Sequence, residues 1–191
     1  MAVATNALAS YEDILLYKDN FKEMSENSTL VEELINMKTQ EIHTYCGVEQ
    51  FLSKSYTEYY DGKGIELLFP HNKPITAVDV IYDDYDWSWA SDSTKDSDTY
   101  RIVDKMYIAL KSGIFVDAAQ NVKITYTAGY ATIPEDLRLV CIKEVTRDFD
   151  RRYEADIASV TLDDGTVAFV EKGLLKSSKE VLDRYIITGI S

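Results

Sequence analysis

Cysteine, basic residues and long apolar runs are all scarce in this 191-residue sequence, and each shortage excludes a class of protein. Its 2 cysteines are too few for a disulfide-stapled scaffold. No stretch reaches the roughly 18 consecutive apolar residues of a membrane-spanning helix. The first residues lack the basic and then apolar order of a secretory signal. Because hydrophobic residues still make up 46% of the chain, wholesale disorder is excluded, and we expect a soluble, intracellular protein without a membrane partner.

The shortage of basic residues also bears on the partners. Lys and Arg number 20 against 33 Asp and Glu, so the formal net charge is −13. Binding DNA through its phosphates requires basic side chains that displace counterions, so this balance argues against a protein that grips nucleic acid. It is compatible with plain solubility, with a basic partner, or with a surface past which DNA slides. Tyrosine is abundant, at 14 residues, and suits half-hydrated contacts between proteins.

Apolar residues recur at helical spacing in the N-terminal quarter of the chain. They predict a helix over about 10–24 and a stronger one over 29–46. Thr29 and Glu32 have the spacing of a capping box, and Gly47 supplies a C-terminal stop.

The best-defined helix is predicted over 134–152. Pro134 opens it, and two acidic residues follow that favour a helix N-terminus. Its apolar stripe is wide enough for packing on more than one side. The stripe consists of Leu137, Leu139, Val140, Cys141, Ile142, Val145 and Phe149.

Between these helices the pattern is that of β-strands. Residues 56–60 and 65–69 flank the sequence DGKG, which predicts a hairpin. Residues 121–127 alternate, with Val122, Ile124 and Tyr126 on one face. Further strands are predicted at 75–82, 100–103, 106–110 and 114–116.

The C-terminal part of the chain predicts a second hairpin and a short helix. The hairpin turns at DDG, residues 163–165, and Ser177 and Glu180 repeat the capping-box spacing at the helix start. So short a helix is marginal alone, so it needs a surface on its own domain or on another chain. Its apolar face consists of Val181, Leu182, Tyr185 and Ile186.

These elements predict an α+β fold: a small helical bundle around a central helix at about 134–152, with inserted β-strands and hairpins and a C-terminal helix. The whole chain, residues 1–191, is expected to form a single domain. Within it we expect a mobile acidic loop at about 83–98 and a C-terminal hairpin plus helix at about 157–188.

The acidic loop carries two tryptophans, Trp87 and Trp89, among small polar residues. Exposed aromatic residues at a loop tip favour a contact surface, while the alternative is that one of them plugs the loop onto the sheet. The run of Asp residues lacks the glycine and terminal Glu of an EF-hand, so calcium is not expected there.

Catalytic motifs are absent from the sequence: it has no nucleophile elbow, no P-loop and no dinucleotide-binding glycine fingerprint. His43 and Cys46 are three residues apart on a predicted helix and, with His71 and Cys141, have the residue types of a zinc site or of a Cys–His nucleophile. The competing interpretation makes Cys46 an apolar helix-end residue and His43 a surface histidine. We expect no enzyme and no cofactor, and keep a small metal-dependent enzyme as an alternative.

Several stretches together resemble the head-to-tail connector (adaptor) proteins of long-tailed bacteriophages. The most specific is VKITYTAGY at 122–130, which leads through IPEDL at 133–137 into a helix ending DRR. The similarity extends over roughly residues 30–185. Its other parts are YCG at 45–47, YTEYYD at 56–61, PITAV at 74–78, DGT at 164–166 and LDRY at 182–185.

The resemblance implies a structural virion protein. Such connectors form a ring, usually twelvefold, between the portal protein at one capsid vertex and the tail or a stopper protein, and DNA passes through the ring without specific binding. It implies a location at the head–tail junction of the virion, after assembly in the host cytoplasm. Another morphogenesis part, a stopper or tail-completion protein, and a generic binding module near the two tryptophans are the alternatives.

Two sets of contact residues follow from the resemblance. By analogy with the family's C-terminal tails, Val181, Leu182, Tyr185 and Ile186 are expected to dock on the portal. Tyrosines of the β region are expected to contribute to contacts between subunits, although about half of them should face the core of their own domain. These tyrosines are Tyr59, Tyr60, Tyr126 and Tyr130.

Overall fold

The computed structural model of the chain describes residues 2–17, 21–151, 159–161, 167–169 and 173–187. These residues form two compact units. The first unit combines the N-terminal residues up to 49 with residues 133–186, and the second consists mainly of residues 50–132. The DDG turn predicted at 163–165 and the predicted helix end at Arg152 lie outside the described residues.

The first unit contains the helices. In chain order they are α1 (Tyr11–Tyr17), α2 (Phe21–Glu26), α3 (Ser28–Cys46), α4 (Glu135–Arg151) and α5 (Lys176–Leu182), with a short 3₁₀ turn at Asp183–Tyr185. The described residues contain no helix that is both long and apolar enough to span a membrane.

Helix α4 is at the centre of this unit, because its wide apolar stripe gives it faces for α1, α3 and α5. Six of the seven predicted stripe residues are buried, and Leu139 is the exception, 40% exposed. Pro134 lies just before the helix, and its carbonyl accepts the backbone N–H of Arg138 at 3.0 Å. The predicted helix start is therefore confirmed.

Helix α3 ends as predicted and begins differently. Gly47 adopts φ of 69°, the left-handed conformation of a helix C-cap. The capping box at Thr29 and Glu32 is wrong: the helix begins one residue earlier, at Ser28, and its N-cap residue Asn27 makes no side-chain cap hydrogen bond.

The second unit contains six of the strands. They are β1 (Lys54–Gly62), β2 (Leu67–Leu68), β3 (Ile75–Asp83), β4 (Tyr100–Val103), β5 (Tyr107–Leu110) and β6 (Ala118–Ala128). They form two three-stranded antiparallel sheets, of order β1–β6–β3 and β2–β5–β4. A further antiparallel pair, β7 (Ser159–Thr161) and β8 (Val167–Phe169), belongs to the first unit.

The hairpin predicted around residues 61–64 is wrong. Strand β1 pairs with β6, and β2 pairs with β5 of the other sheet. The reason lies in β6, whose Val122, Ile124 and Tyr126 are fully buried, so that this strand is flanked on both sides, by β1 and β3.

The predicted fold class, a helical bundle around a central helix with inserted strands, is also wrong. The protein is a mixed α and β structure in which residues 50–132 build their own sheet-rich hydrophobic core. All members of that core come from the two sheets or their connections, because the alternating strands bury their apolar faces within this unit. They are Tyr56, Leu68, Ile75, Ile81, Tyr100, Ile108, Leu110, Phe115, Val122, Ile124, Tyr126 and Ala128.

Candidate interaction surfaces

Asn121 organises one end of the β1–β6–β3 sheet. It is fully buried, and its side-chain oxygen accepts the backbone N–H of Gly62 at 2.7 Å. Its amide donates to Asp83 Oδ1 and to the carbonyl of Val116, both at 3.0 Å. One side chain thereby joins the end of β1, the end of β3 and the segment that leads into β6, and fixes the point from which the acidic loop leaves the sheet.

Asp84, the first residue after β3, holds the acidic loop together. Its carboxylate accepts the backbone N–H groups of Asp86 and Trp89, at 3.0 and 2.6 Å, and the hydroxyl of Ser88 at 2.9 Å. Burial by itself would raise the pKa of Asp84, but these hydrogen bonds outweigh it, so the pKa lies below the ordinary value. The loop is thus organised around one ionised carboxylate.

Trp89 lies against the outer face of the sheet. Its ring packs edge-on against Tyr59 and Tyr82, with ring centroids 5.6 and 6.2 Å away. Lys123, paired with both tyrosines across the sheet, places its ammonium 5.5 Å from the Trp89 ring, 6.0 Å from Tyr59 and 5.4 Å from Tyr82. Three aromatic faces around one ammonium form a cation–π cage, so this tryptophan plugs the loop onto the sheet.

Trp87 has a different environment from Trp89. Its side chain is 59% exposed, and its indole N–H donates to the carbonyl of Ala119 at 3.3 Å. The backbone of Trp87 adopts φ of 55°, a left-handed conformation that is costly for a bulky residue. With Tyr85, 71% exposed, it lines an open groove with Asp86 and residues 117–119.

The four predicted subunit-contact tyrosines differ in their surroundings. Tyr59 is 49% exposed, and Tyr60 and Tyr130 are half-buried. Tyr126 is fully buried, and its hydroxyl donates to Glu58 and accepts the backbone N–H of Asn72. The alternation of the sheet therefore divides the set between surface and core.

Tyr60 and Tyr126 meet at one carboxylate. Both hydroxyls donate to Glu58 Oε2, and burial followed by this hydrogen bond raises the pKa of each phenol. The amide of Asn72 donates to the other Glu58 oxygen at 2.7 Å. This cluster fixes the connection between β2 and β3 onto the sheet.

The predicted portal-docking residues lie at the end of the first unit. Leu182 is fully buried, and its carbonyl is 3.8 Å from the thiol sulfur of Cys46. The hydroxyl of Tyr185 donates to the carboxylate of Asp136 at 2.7 Å. Val181 is half-buried and Ile186 is 39% exposed, so these two present apolar surface.

The capping box predicted at Ser177 and Glu180 is wrong, because helix α5 begins without it. The helix starts at Lys176, and the N-cap residue Leu175 makes no side-chain cap hydrogen bond. The backbone N–H of Leu175 donates instead to Glu144 Oε1 on α4, at 2.9 Å. A tertiary contact to a fully buried carboxylate thus fixes the entry to the helix.

A charged network around Glu144 supports this attachment. Arg147 Nη2 lies 2.9 Å from both Glu144 and Asp148 and donates to the carbonyl of Gly173 at 2.8 Å. Lys38 on α3 contacts Asp148 and Glu41, both at 2.7 Å. Burial lowers the pKa of Lys38, but its two carboxylate partners outweigh that effect and raise it overall.

The residues considered for metal binding or nucleophilic catalysis have surroundings that suit neither role. His43 is buried, which contradicts a surface histidine, and burial lowers its pKa. Burial, and for Cys46 also the nearby Asp183, raises the thiol pKa of Cys46 to about 11 and that of Cys141 to about 12. His71 belongs to the other unit. Among the described residues no three His, Cys, Asp or Glu side chains are grouped to hold a metal ion.

Comparison with known proteins assigns the chain to a family. The sequence matches the profile of the head completion protein family over residues 8–185. The chain belongs to that family. The resemblance of the sequence to head-to-tail connectors is therefore confirmed. A comparison with curated proteins gives no match.

Solved structures share the fold of this head completion protein. A chain from the virion of a native gene transfer agent particle matches with a TM-score of 0.63 at 13% identity, covering 100% of this chain and 95% of that one. A chain from the neck of an empty particle, computed with C6 symmetry, gives 0.60 at 12%, covering 100% and 96%. One from the neck of a native particle, computed with C12 symmetry, gives 0.54 at 14%, covering 88% and 90%.

Sequence reasoning missed the two residues that organise the loop of this head completion protein, Asp84 and Asn121. The available signal for Asp84 was its position, directly after a strand and before small polar residues able to donate to it. Asn121 gave no such signal, because its partners, Gly62, Asp83 and Val116, are distant or scattered in sequence.

Proposed function

We propose that the chain assembles as a ring that joins the portal vertex of the capsid to the tail and lines the channel for DNA. The observation that carries this proposal is the family match over residues 8–185. The sixfold and twelvefold symmetries with which the similar neck structures were computed support a ring. The net charge of −13 supports a channel wall past which DNA moves, since like charges are not retained on it.

The proposed partners are the portal protein on one side and a tail or stopper protein on the other. For the portal we propose the C-terminal segment, with Val181 and Ile186 making the contact. Leu182 and Tyr185 contribute by holding that segment in position, since one is buried and the other is bonded to Asp136.

For contacts between subunits we propose Tyr59, on the outer face of the β1–β6–β3 sheet, together with Tyr130 just after β6, while Tyr60 contributes from the core side, where it packs against the hydrophobic core. Tyr126 supports this face from the core side. The proposed location is the head–tail junction of the virion, reached after assembly in the host cytoplasm.

Sedimentation of the purified protein with and without the portal protein of the same genome tests the proposal. We expect a discrete co-sedimenting assembly. Replacing Val181 and Ile186 by Asp should abolish it, whereas the same change at Leu16, which is 87% exposed on α1, should not.

The outcomes separate the alternatives. Co-sedimentation that survives the Val181→Asp, Ile186→Asp change would keep the function and discard the docking residues. No interaction at tens of micromolar, with both proteins folded, would contradict the adaptor role. A stopper or tail-completion part would then be the better description.

A further inference from the structure

The groove beside Trp87 has the composition of a site for a cationic side chain. Two aromatic residues, Tyr85 and Trp87, come from the loop after β3, and Asp117 and two alanines come from the start of β6. Asp86 lines the same groove, and no lysine or arginine is among its lining residues. Aromatic faces and carboxylates without a cation of their own are the two components of guanidinium recognition.

Tyr85 and Trp87 are exposed although the loop that carries them is ordered by hydrogen bonds. Trp89, two residues away, is placed on the sheet, where Lys123 already occupies its cage. Both tryptophans have a left-handed backbone, with φ of 55° and 53°, in a loop ordered by the Asp84 hydrogen bonds, but it is the Trp87 side chain that is exposed, at 59%. Backbone strain of this kind persists only where the surroundings impose it, so the loop holds both indoles in defined positions.

Directly before the groove residue Asp117, the chain adds apolar surface. Val116, directly before Asp117, is 47% exposed, and Ile114 is 52% exposed. The groove is therefore acidic and aromatic, with an aliphatic stretch leading to it.

We propose that this groove binds an arginine side chain presented by a segment of another protein. A planar guanidinium stacks on Trp87 and Tyr85 while its N–H groups donate to Asp86 and Asp117, which an ammonium does less well. Nucleic acid is disfavoured, because its phosphates would face these carboxylates. The inference does not depend on the ring or on which neck component supplies the arginine.

The test uses the full chain and two short peptides that differ only in charge. One is a blocked glycine peptide with three arginines, and the other carries citrulline, the uncharged isostere, at the same positions. The readout is the ¹⁵N–¹H spectrum, in which the indole N–H of Trp87 and the amides of residues 117–119 report on the groove. We expect saturable shifts of these signals with the arginine peptide alone.

Variants assign the shifts to the groove. Trp87→Ala and Tyr85→Ala should abolish or strongly weaken binding, and Asp117→Asn should weaken it about two- to fivefold, as for an exposed ion pair. Asp92→Asn, a change of the same charge at an exposed position of the same loop, is the matched control and should bind like the unmodified protein.

Equal shifts with the citrulline peptide would overturn the proposal, as would the absence of shifts at roughly ten millimolar arginine peptide. Unchanged binding in the Tyr85→Ala and Asp117→Asn variants would overturn it too, even if Trp87→Ala perturbs the loop. A change in sedimentation of the chain itself, without peptide, that depends on Trp87 would point to a second copy as the occupant and contradict the arginine site.

Discussion

At the scale of single residues, Gly62 shows how tightly the end of the sheet is packed. A Cβ atom at this position would lie 1.7 Å from the carbonyl oxygen of Val116 and 2.9 Å from Asn121 Nδ2. That carbonyl already accepts the Asn121 amide, so neither group has room to move aside. We expect Gly62→Ala to lower the free energy of unfolding by about 3 kcal/mol, the upper end for overpacking.

Urea denaturation checks this prediction, with Gly113→Ala as the control. Gly113 has φ of 79° with open space around it, so only the left-handed conformation is penalised there, by about 1 kcal/mol. Equal losses in the two variants would contradict the packing argument.

Asp84 gives the loop a pH dependence whose sign follows from its lowered pKa. A carboxylate with a depressed pKa in the folded state stabilises above the ordinary Asp value of about 3.9, and the stabilisation is lost as the pH falls through the folded value. We expect Trp89 to leave the Lys123 cage in that range. In a Trp87→Phe background, its emission should shift to the red on acidification.

Two variants isolate the carboxylate responsible. Asp84→Ala should show the red-shifted emission already at neutral pH and no acid transition. Asp92→Asn, exposed in the same loop, should keep the transition unchanged. An acid transition that persists in Asp84→Ala would assign the effect to another group.

The residue scale also shows the limit of sequence reasoning about the tryptophans. Spacing and composition left open whether Trp87 and Trp89 form a contact surface or plug the loop. The structure divides them, because Lys123 and two cross-strand tyrosines supply a cage for Trp89 only. That cage is formed by residues of three strands and a loop, so no local sequence pattern predicts it.

At the scale of elements, α5 depends on one buried side chain. It has 7 residues, too few for stability alone, and Leu182 is its fully buried apolar anchor. We expect Leu182→Ala to cost about 3 kcal/mol and to detach the segment locally. Amide hydrogen exchange over residues 176–185 should rise well before α3 and α4 exchange.

Ile186→Ala is the matched control, because this side chain is 39% exposed and its loss should stay within about 0.5 kcal/mol. If Leu182→Ala instead unfolds the helices together, then the segment belongs to the cooperative core and is not an attached element.

Helices α3 and α4 were predictable from local pattern, whereas the helix predicted over about 10–24 is divided into α1 and α2, and strand partners were not predictable. The stripe and opening proline of α4 and the glycine after α3 are encoded within a few residues. Both predicted capping boxes failed, because Glu144 secures the N–H of Leu175 from another helix and Asn27 takes the N-cap of α3. The hairpin prediction failed because β1 pairs with β6, whose alternate residues are buried, and not with β2, the next strand in sequence.

At the scale of the whole molecule, composition did not predict the architecture. A mixed α and β structure replaces the helical bundle, since the sheets of residues 50–132 have enough inward-facing apolar residues to form a core of their own. Of the candidate sites, the C-terminal residues came from resemblance. The groove beside Trp87 became visible only when a loop and the start of β6 were brought together.

The net charge of −13 affects how copies of the whole molecule associate. Copies brought together in a ring repel one another, and salt shortens the range of that repulsion from about 10 Å at 0.1 M to about 3 Å at 1 M. We therefore expect the isolated protein to self-associate weakly at low salt and more strongly as salt rises.

Sedimentation velocity at several salt concentrations measures this self-association. Sodium chloride without magnesium is used as the salt, so that specific binding of a divalent ion does not affect the comparison. A variant with acidic surface residues of the second unit changed to their amides, Asp86→Asn and Asp92→Asn, should reach the same degree of association at lower salt. Self-association that weakens with salt would mean that contacts between copies are held by opposite charges. In that case repulsion between copies would not oppose formation of the ring.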